Sequence, residues 1–85
     1  MVEEINMNIT VAVKRRILEI CQTKGMTVNK LGSVCGITQS TLKNIVSGRN
    51  GATVLTLKKI CDGLEITLGE FFNTPEFDAL EQEIK

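Results

Sequence analysis

Apolar residues recur at three- and four-residue spacings along most of this chain, and turn-forming residues cut the pattern into short pieces. Val13, Ile17 and Ile20 make one stripe that begins at Thr10 and stops at Gly25, where a C-cap is expected. Thr27 is placed to cap a second, shorter helix carrying Leu31, Val34 and Cys35, which Gly36 breaks. Thr38 opens a third helix with Leu42 and Ile45 inward, ended by Gly48. After the polar loop Arg49-Asn50-Gly51-Ala52, Thr53 opens a fourth with Val54, Leu57, Ile60, Cys61 and Leu64 inward. Thr67-Leu68-Gly69-Glu70 has the form of a capping box and sets Phe71 and Phe72 on a short fifth helix. No segment of useful length alternates as a strand would. The pattern predicts a compact all-α fold of five helices over residues 10–74. Residues 1–9 are expected to be a flexible segment, and 75–85 an acidic tail with room for one more short helix.

The segment from Val28 to Ser47 is more constrained than the rest. Two helices crossing steeply through a three- to four-residue turn need a small residue where they approach and a residue tolerant of positive φ in the turn. Gly32 and Gly36 fill those places, and Leu31, Cys35, Ile37, Leu42 and Ile45 plug the angle from both sides. This spacing predicts a helix-turn-helix formed by helices 2 and 3.

Composition changes the picture mainly through charge. Ten basic and ten acidic residues cancel, yet they are segregated. Between Lys14 and Lys59 lie nine basic residues against Glu19 alone. From Asp62 onward lie seven acids against Lys85 alone. Phosphate affinity follows the local field within about 8–10 Å rather than the total, so a neutral chain of this kind keeps a basic body suited to a polyanion. Three Phe are the only aromatics, so the core is mostly aliphatic and base stacking on RNA is disfavoured.

With these residues in place, the chain resembles the lambdoid-repressor and Cro class of helix-turn-helix regulators, the XRE family, over roughly residues 10–73. The likeness extends past the motif to Val54–Cys61 and to Leu68-Gly69-Glu70-Phe71-Phe72, which correspond to the helices that close the family's core. The resemblance implies sequence-specific binding of double-stranded DNA, with helix 3, about residues 38–47, in the major groove, and a role as a repressor. Gln39, Ser40, Lys43 and Asn44 are the implied base readers, because Leu42 and Ile45 fix the inward face. Implied phosphate contacts are Thr27, Val28 and Lys30 around the start of helix 2, where free N–H groups favour an anion. Thr38 and Thr41 join them on helix 3, with Ser47, Arg49 and Asn50 in the loop that follows. Two positions depart from the family. Val28 stands where Gln is common, which removes a side-chain clamp but keeps the backbone N–H. Gly32 stands where Ala is commonest, at a cost of up to about 1 kcal/mol in helix stability.

Members of this class usually bind palindromic operators as homodimers. The tail residues Phe77, Leu80 and Ile84, with Leu55, form a subunit contact here or else pack back on the fifth helix. Val46 and Leu55 occupy positions that are often polar in the class, as surface apolar residues or as part of such a contact.

Other functions have less support. The chain has no His, no Gly-rich phosphate loop after a strand and no carboxylate pair in a catalytic setting, so no enzyme activity is expected. Cys21, Cys35 and Cys61 are widely spaced and without a CxxC pair, which reads as core filler; no metal, cofactor or small-molecule ligand is expected. No run approaches the roughly 20 apolar residues of a membrane span, and the acidic N-terminus lacks the basic start of a secretory signal. A cytoplasmic location is the expectation. The competing reading is a protein-binding module of the same fold, antitoxin-like or an anti-repressor partner, for which the acidic tail would supply the contact.

Overall fold

Four of the helices begin the same way, with a threonine hydroxyl accepting a backbone N–H that the helix itself leaves unpaired. In the computed structural model, which describes residues 8–84, these are Thr27 before α2 (Val28–Cys35), Thr38 before α3 (Gln39–Val46), Thr53 before α4 (Val54–Leu64) and Thr67 before α5 (Leu68–Phe72). Their Oγ1 atoms accept from the amides of Lys30, Thr41, Thr56 and Glu70 at 3.1, 3.1, 3.1 and 3.0 Å. Thr67 and Glu70 complete the capping box, since Glu70 Oε1 accepts from the Thr67 amide at 2.9 Å. The first helix, α1 (Ile9–Lys24), starts one residue earlier than the apolar stripe indicates, because Asn8 Oδ1 accepts from the Val11 amide. The expectation of a flexible segment otherwise falls on residues 1–7, outside the described residues.

Glycines close the first two helices in the left-handed region. Gly25 and Gly36 have φ of 65° and 69°, and Met26 and Ile37 donate back to the carbonyls of Cys21 and Gly32. Helix α3 ends at Val46 with Ser47 as its cap, and Gly48 turns the chain at φ 79°. The end of α4 is different. Glu65 takes the left-handed position with φ 59°, a conformation that costs an L residue roughly 1–2 kcal/mol and that no pattern of apolar residues foretold.

The helices enclose one core of Val13, Ile17, Ile20, Cys21, Leu31, Leu42, Ile45, Leu57, Ile60, Cys61, Leu64 and Phe71. Helix α2 packs chiefly on α4, and α1 on α3. The α2–α4 approach depends on Gly63, where a Cβ would overlap Cys35 Sγ. Two expectations need correction. Val54 is not inward: it is the first residue of α4 and 75% exposed, because the buried stripe starts a turn later at Leu57. Val46 is not a surface residue: it is half-buried against the core on the flank of α3 that faces α2.

A sixth helix, α6 (Pro75–Asp78), follows the five that were expected, with Pro75 in its first turn. Its Phe77 packs edge-on against Phe72 at a centroid distance of 4.9 Å and lies 6.1 Å from Phe71. That side chain therefore packs back on the fifth helix, half-buried against the core. Arg15 pairs with Glu76 at 3.7 Å, and Glu83 Oε2 accepts from the Ile9 amide, so the acidic tail lies along α1. Arg16 does more than carry charge. Its Nε and Nη2 donate to the carbonyls of Phe71 and Glu70 at 2.7 and 2.8 Å, closing the C-terminal end of α5, while Nη1 meets Glu19 at 2.6 Å.

Candidate nucleic-acid interface

Helix α3 is inward only at Leu42 and Ile45, so its 3.6-residue period decides where every other side chain goes. Ser40, Lys43, Asn44 and Ser47 fall on the opposite, outer ridge. Gln39 and Val46 flank that ridge on the side of α2, and Thr41 flanks it on the side of the α3–α4 loop. The expected base readers are therefore divided. Gln39, Ser40 and Lys43 line an open groove of about 640 Å³ together with Val28, Asn29 and Val46. Asn44 instead borders a smaller recess of about 150 Å³, shared with Thr41, Asn50, Thr53 and Thr56.

Gln39 is held in place. Its Nε2 donates to the Asn29 carbonyl at 3.3 Å, and the side chain crosses α2 directly over Gly32. A Cβ on Gly32 would lie 2.8 Å from that nitrogen and 3.2 Å from Leu42 Cδ2. The glycine that lowers helix propensity thus makes the space in which Gln39 rests. In the class that the sequence resembles, Gln often occupies the place of Val28; here the tie between the two helices runs from Gln39 to the backbone of Asn29.

The phosphate candidates form two groups on either side of α3. On one side, Thr27 caps α2, and the Val28 and Asn29 amides of its first turn have no acceptor within the helix. Lys30 is exposed beside them. On the other side, Asn44 organises the loop: its carbonyl accepts from the amides of Arg49 and Asn50 at 3.0 and 3.2 Å and from Ser47 Oγ at 3.1 Å. At the start of α3 the Thr38 and Thr41 hydroxyls lie 2.9 Å apart and bond each other. Asn29 and Thr56 belong to this surface without having been singled out in the sequence, and Thr53, expected only as a helix cap, joins them; the start of α2 and that cap were the available signals.

Electrostatics separates this face from the rest of the molecule. From residue 20 to residue 61 there is no Asp or Glu. Lys30, Lys43 and Arg49 pair with no carboxylate among the described residues, whereas Arg15, Arg16 and Lys58 are tied to Glu76, Glu19 and Asp62. The Asp62 hydrogen bond holds the Lys58 ammonium above its usual range. The three thiols sit behind this face. Burial raises Cys21, Cys35 and Cys61 above the ordinary thiol value, which disfavours the thiolate needed for metal or redox chemistry.

Residues 16–76 match the Cro/C1-type HTH DNA-binding domain. The chain belongs to that family. Solved structures agree with the assignment of this Cro/C1-type domain. The prophage Lp1 protein 11 is similar at 26% identity and a TM-score of 0.77, over 86% of this chain and 97% of that one. The restriction-modification controller protein C.Esp1396I, seen as a tetramer with its natural 35-base-pair operator, is similar at 27% identity and a TM-score of 0.70. That match covers 74% of this chain and 83% of the other. The controller protein C.AhdI from Aeromonas hydrophila shares the fold at 22% identity and a TM-score of 0.69, over 74% of this chain and 96% of its own. Among curated proteins, none matches this chain. Among the described residues, no helix is long and apolar enough to cross a membrane.

Proposed function

We propose that this Cro/C1-type domain is a sequence-specific transcriptional repressor that binds double-stranded DNA by seating α3 in the major groove. The observation that carries the reading is the acid-free stretch from residue 20 to residue 61, with the polar ridge Ser40, Lys43, Asn44 and Ser47 at its centre. Ser40, Lys43 and Asn44 read base edges, and Gln39 does so from a fixed position. Thr27, the Val28 amide and Lys30 hold phosphates on one flank; Thr41, Ser47, Arg49 and Asn50 hold them on the other, with Thr38 supporting Thr41. The work of the site is binding and not catalysis, and its setting is the cytoplasm.

The reading extends to a homodimer on a palindromic operator. The tetramer of the controller relative on its operator supports oligomeric binding. So do Val54, Leu55 and Ile84, large apolar side chains that are 75, 66 and 87% exposed. With Phe77 committed to the chain's own core, α4's first turn replaces it as the candidate contact.

Fluorescence anisotropy with duplexes selected from a random pool tests the proposal. Binding is expected to weaken steeply with salt, because each neutralised phosphate releases counterions. Lys43→Ala/Asn44→Ala is expected to lose roughly 30-fold in affinity for the selected duplex while its unfolding midpoint stays within about 0.5 kcal/mol of the parent. A folded protein that binds no duplex at low salt, but retains a salt-insensitive protein partner, would instead establish the protein-binding module.

A further inference from the structure

The groove between α2 and α3 has a chemistry that hydrogen-bonding readout does not use. Two of its six lining residues are valines, Val28 from the first turn of α2 and Val46 from the flank of α3, and both are half-buried against the core with one side open to the groove. The remaining lining is Asn29, Gln39, Ser40 and Lys43, so an apolar floor lies directly beside groups that donate and accept hydrogen bonds. The floor is preformed. The Gln39–Asn29 bond holds the long side chain across Gly32, and the half-buried valines are backed by the core. No carboxylate occurs anywhere on α2 or α3, and Lys43 stands at the groove's edge, so a polyanionic partner meets no repulsion there.

We propose, resting on the DNA-binding reading above, that this valine-floored groove reads thymine through its C5 methyl group. In the major groove that methyl is the one apolar marker a base pair displays, and it sits on the same edge as the donors and acceptors of its paired adenine. A slot with two valines on its floor and a fixed Gln amide at its side matches both halves of that edge. Removing one buried methyl is expected to weaken binding about fourfold.

The test uses the full chain and its selected duplex, with each thymine replaced in turn by uracil, which differs only in lacking the methyl. Anisotropy at fixed salt should show about a fourfold loss at one or two positions per half-site and none elsewhere. In Val28→Thr, which keeps the side-chain shape but puts a hydroxyl on the floor, uracil and thymine should bind alike at those positions. Val46→Thr gives the same readout should the first variant fold poorly. Tolerance of uracil at every position by the parent protein, or a loss of equal size in both folded variants, would overturn the proposal. A folded chain that selects no duplex would overturn the DNA reading, and this assignment with it.

Discussion

The two sides of this molecule use the same residue types for opposite ends. On the α1–α5–α6 side, Arg15 and Arg16 are committed to Glu76, Glu19 and two backbone carbonyls, and three Phe rings stack within 4.9–6.1 Å of one another. On the α2–α3 side, Lys30, Lys43 and Arg49 have no carboxylate to meet among the described residues, and the helix ends are capped by neutral hydroxyls. Charge that is spent on internal contacts stabilises a fold, whereas charge left exposed is available to a partner. The segregation along the sequence becomes, in three dimensions, a tail that pairs with α1 through Glu76 and leaves Lys30, Lys43 and Arg49 of the proposed reading face without a carboxylate partner among the described residues.

Substitutions can break that contrast from either side. The largest effect is expected at Arg16, whose side chain is only 18% exposed and closes α5 through two charge-assisted hydrogen bonds. Arg16→Ala should lower stability by about 3 kcal/mol in urea unfolding, with DNA affinity of the folded fraction unchanged. Loss of affinity without loss of stability would place Arg16 on the reading face. Next comes Gly63→Ala, which sets a methyl against Cys35 Sγ where α2 crosses α4. It should cost about 2 kcal/mol by the same measurement, although Ala is the better helix former. Adding Cys35→Ala should restore most of that stability, and a double variant no better than the single would show that the crowding lies elsewhere.

Smaller effects probe the helix ends. Glu65 holds a left-handed conformation at the end of α4, so Glu65→Gly should raise stability by about 1 kcal/mol in thermal unfolding. At Glu70 the hydrogen bonds from the Thr67 backbone and side chain hold the carboxyl below the usual carboxylate range. Its folded value is thus depressed. The stability it contributes is present above about pH 4.5 and is lost as pH falls through the folded value. Unfolding of Glu70→Gln measured from pH 6 downward should show a correspondingly shallower acid loss than the parent.

What could be read from the sequence and what could not divides along physical lines. Capping is local, so Thr27, Thr38, Thr53 and the Thr67–Glu70 box announced four helix starts, and Gly25 and Gly36 two helix ends. Periodicity gave the inward face of α3 at Leu42 and Ile45, and hence its outer ridge. It could not separate Asn44 from Gln39, because that division is made by what lies on each flank of the helix, α2 or the α3–α4 loop. Arg16 looked like one more basic residue, since its partners are carbonyls 54 and 55 residues away. The spacing marks Gly32 as the small residue where α2 and α3 approach, but not that the Gln39 side chain is what lies across it. Val54 had the right spacing for the stripe of α4, but at the first position of a helix the chain had not yet reached the core.

Whether DNA meets the α2–α3 side is decided by nuclear magnetic resonance titration of the labelled protein with its selected duplex. Amide shifts are expected to concentrate at Thr27–Lys30, Ser40, Lys43, Asn44 and Ser47–Asn50, while Arg15, Phe71 and Phe77 stay still. Shifts centred on α1 and α6, with α3 unmoved, would contradict it.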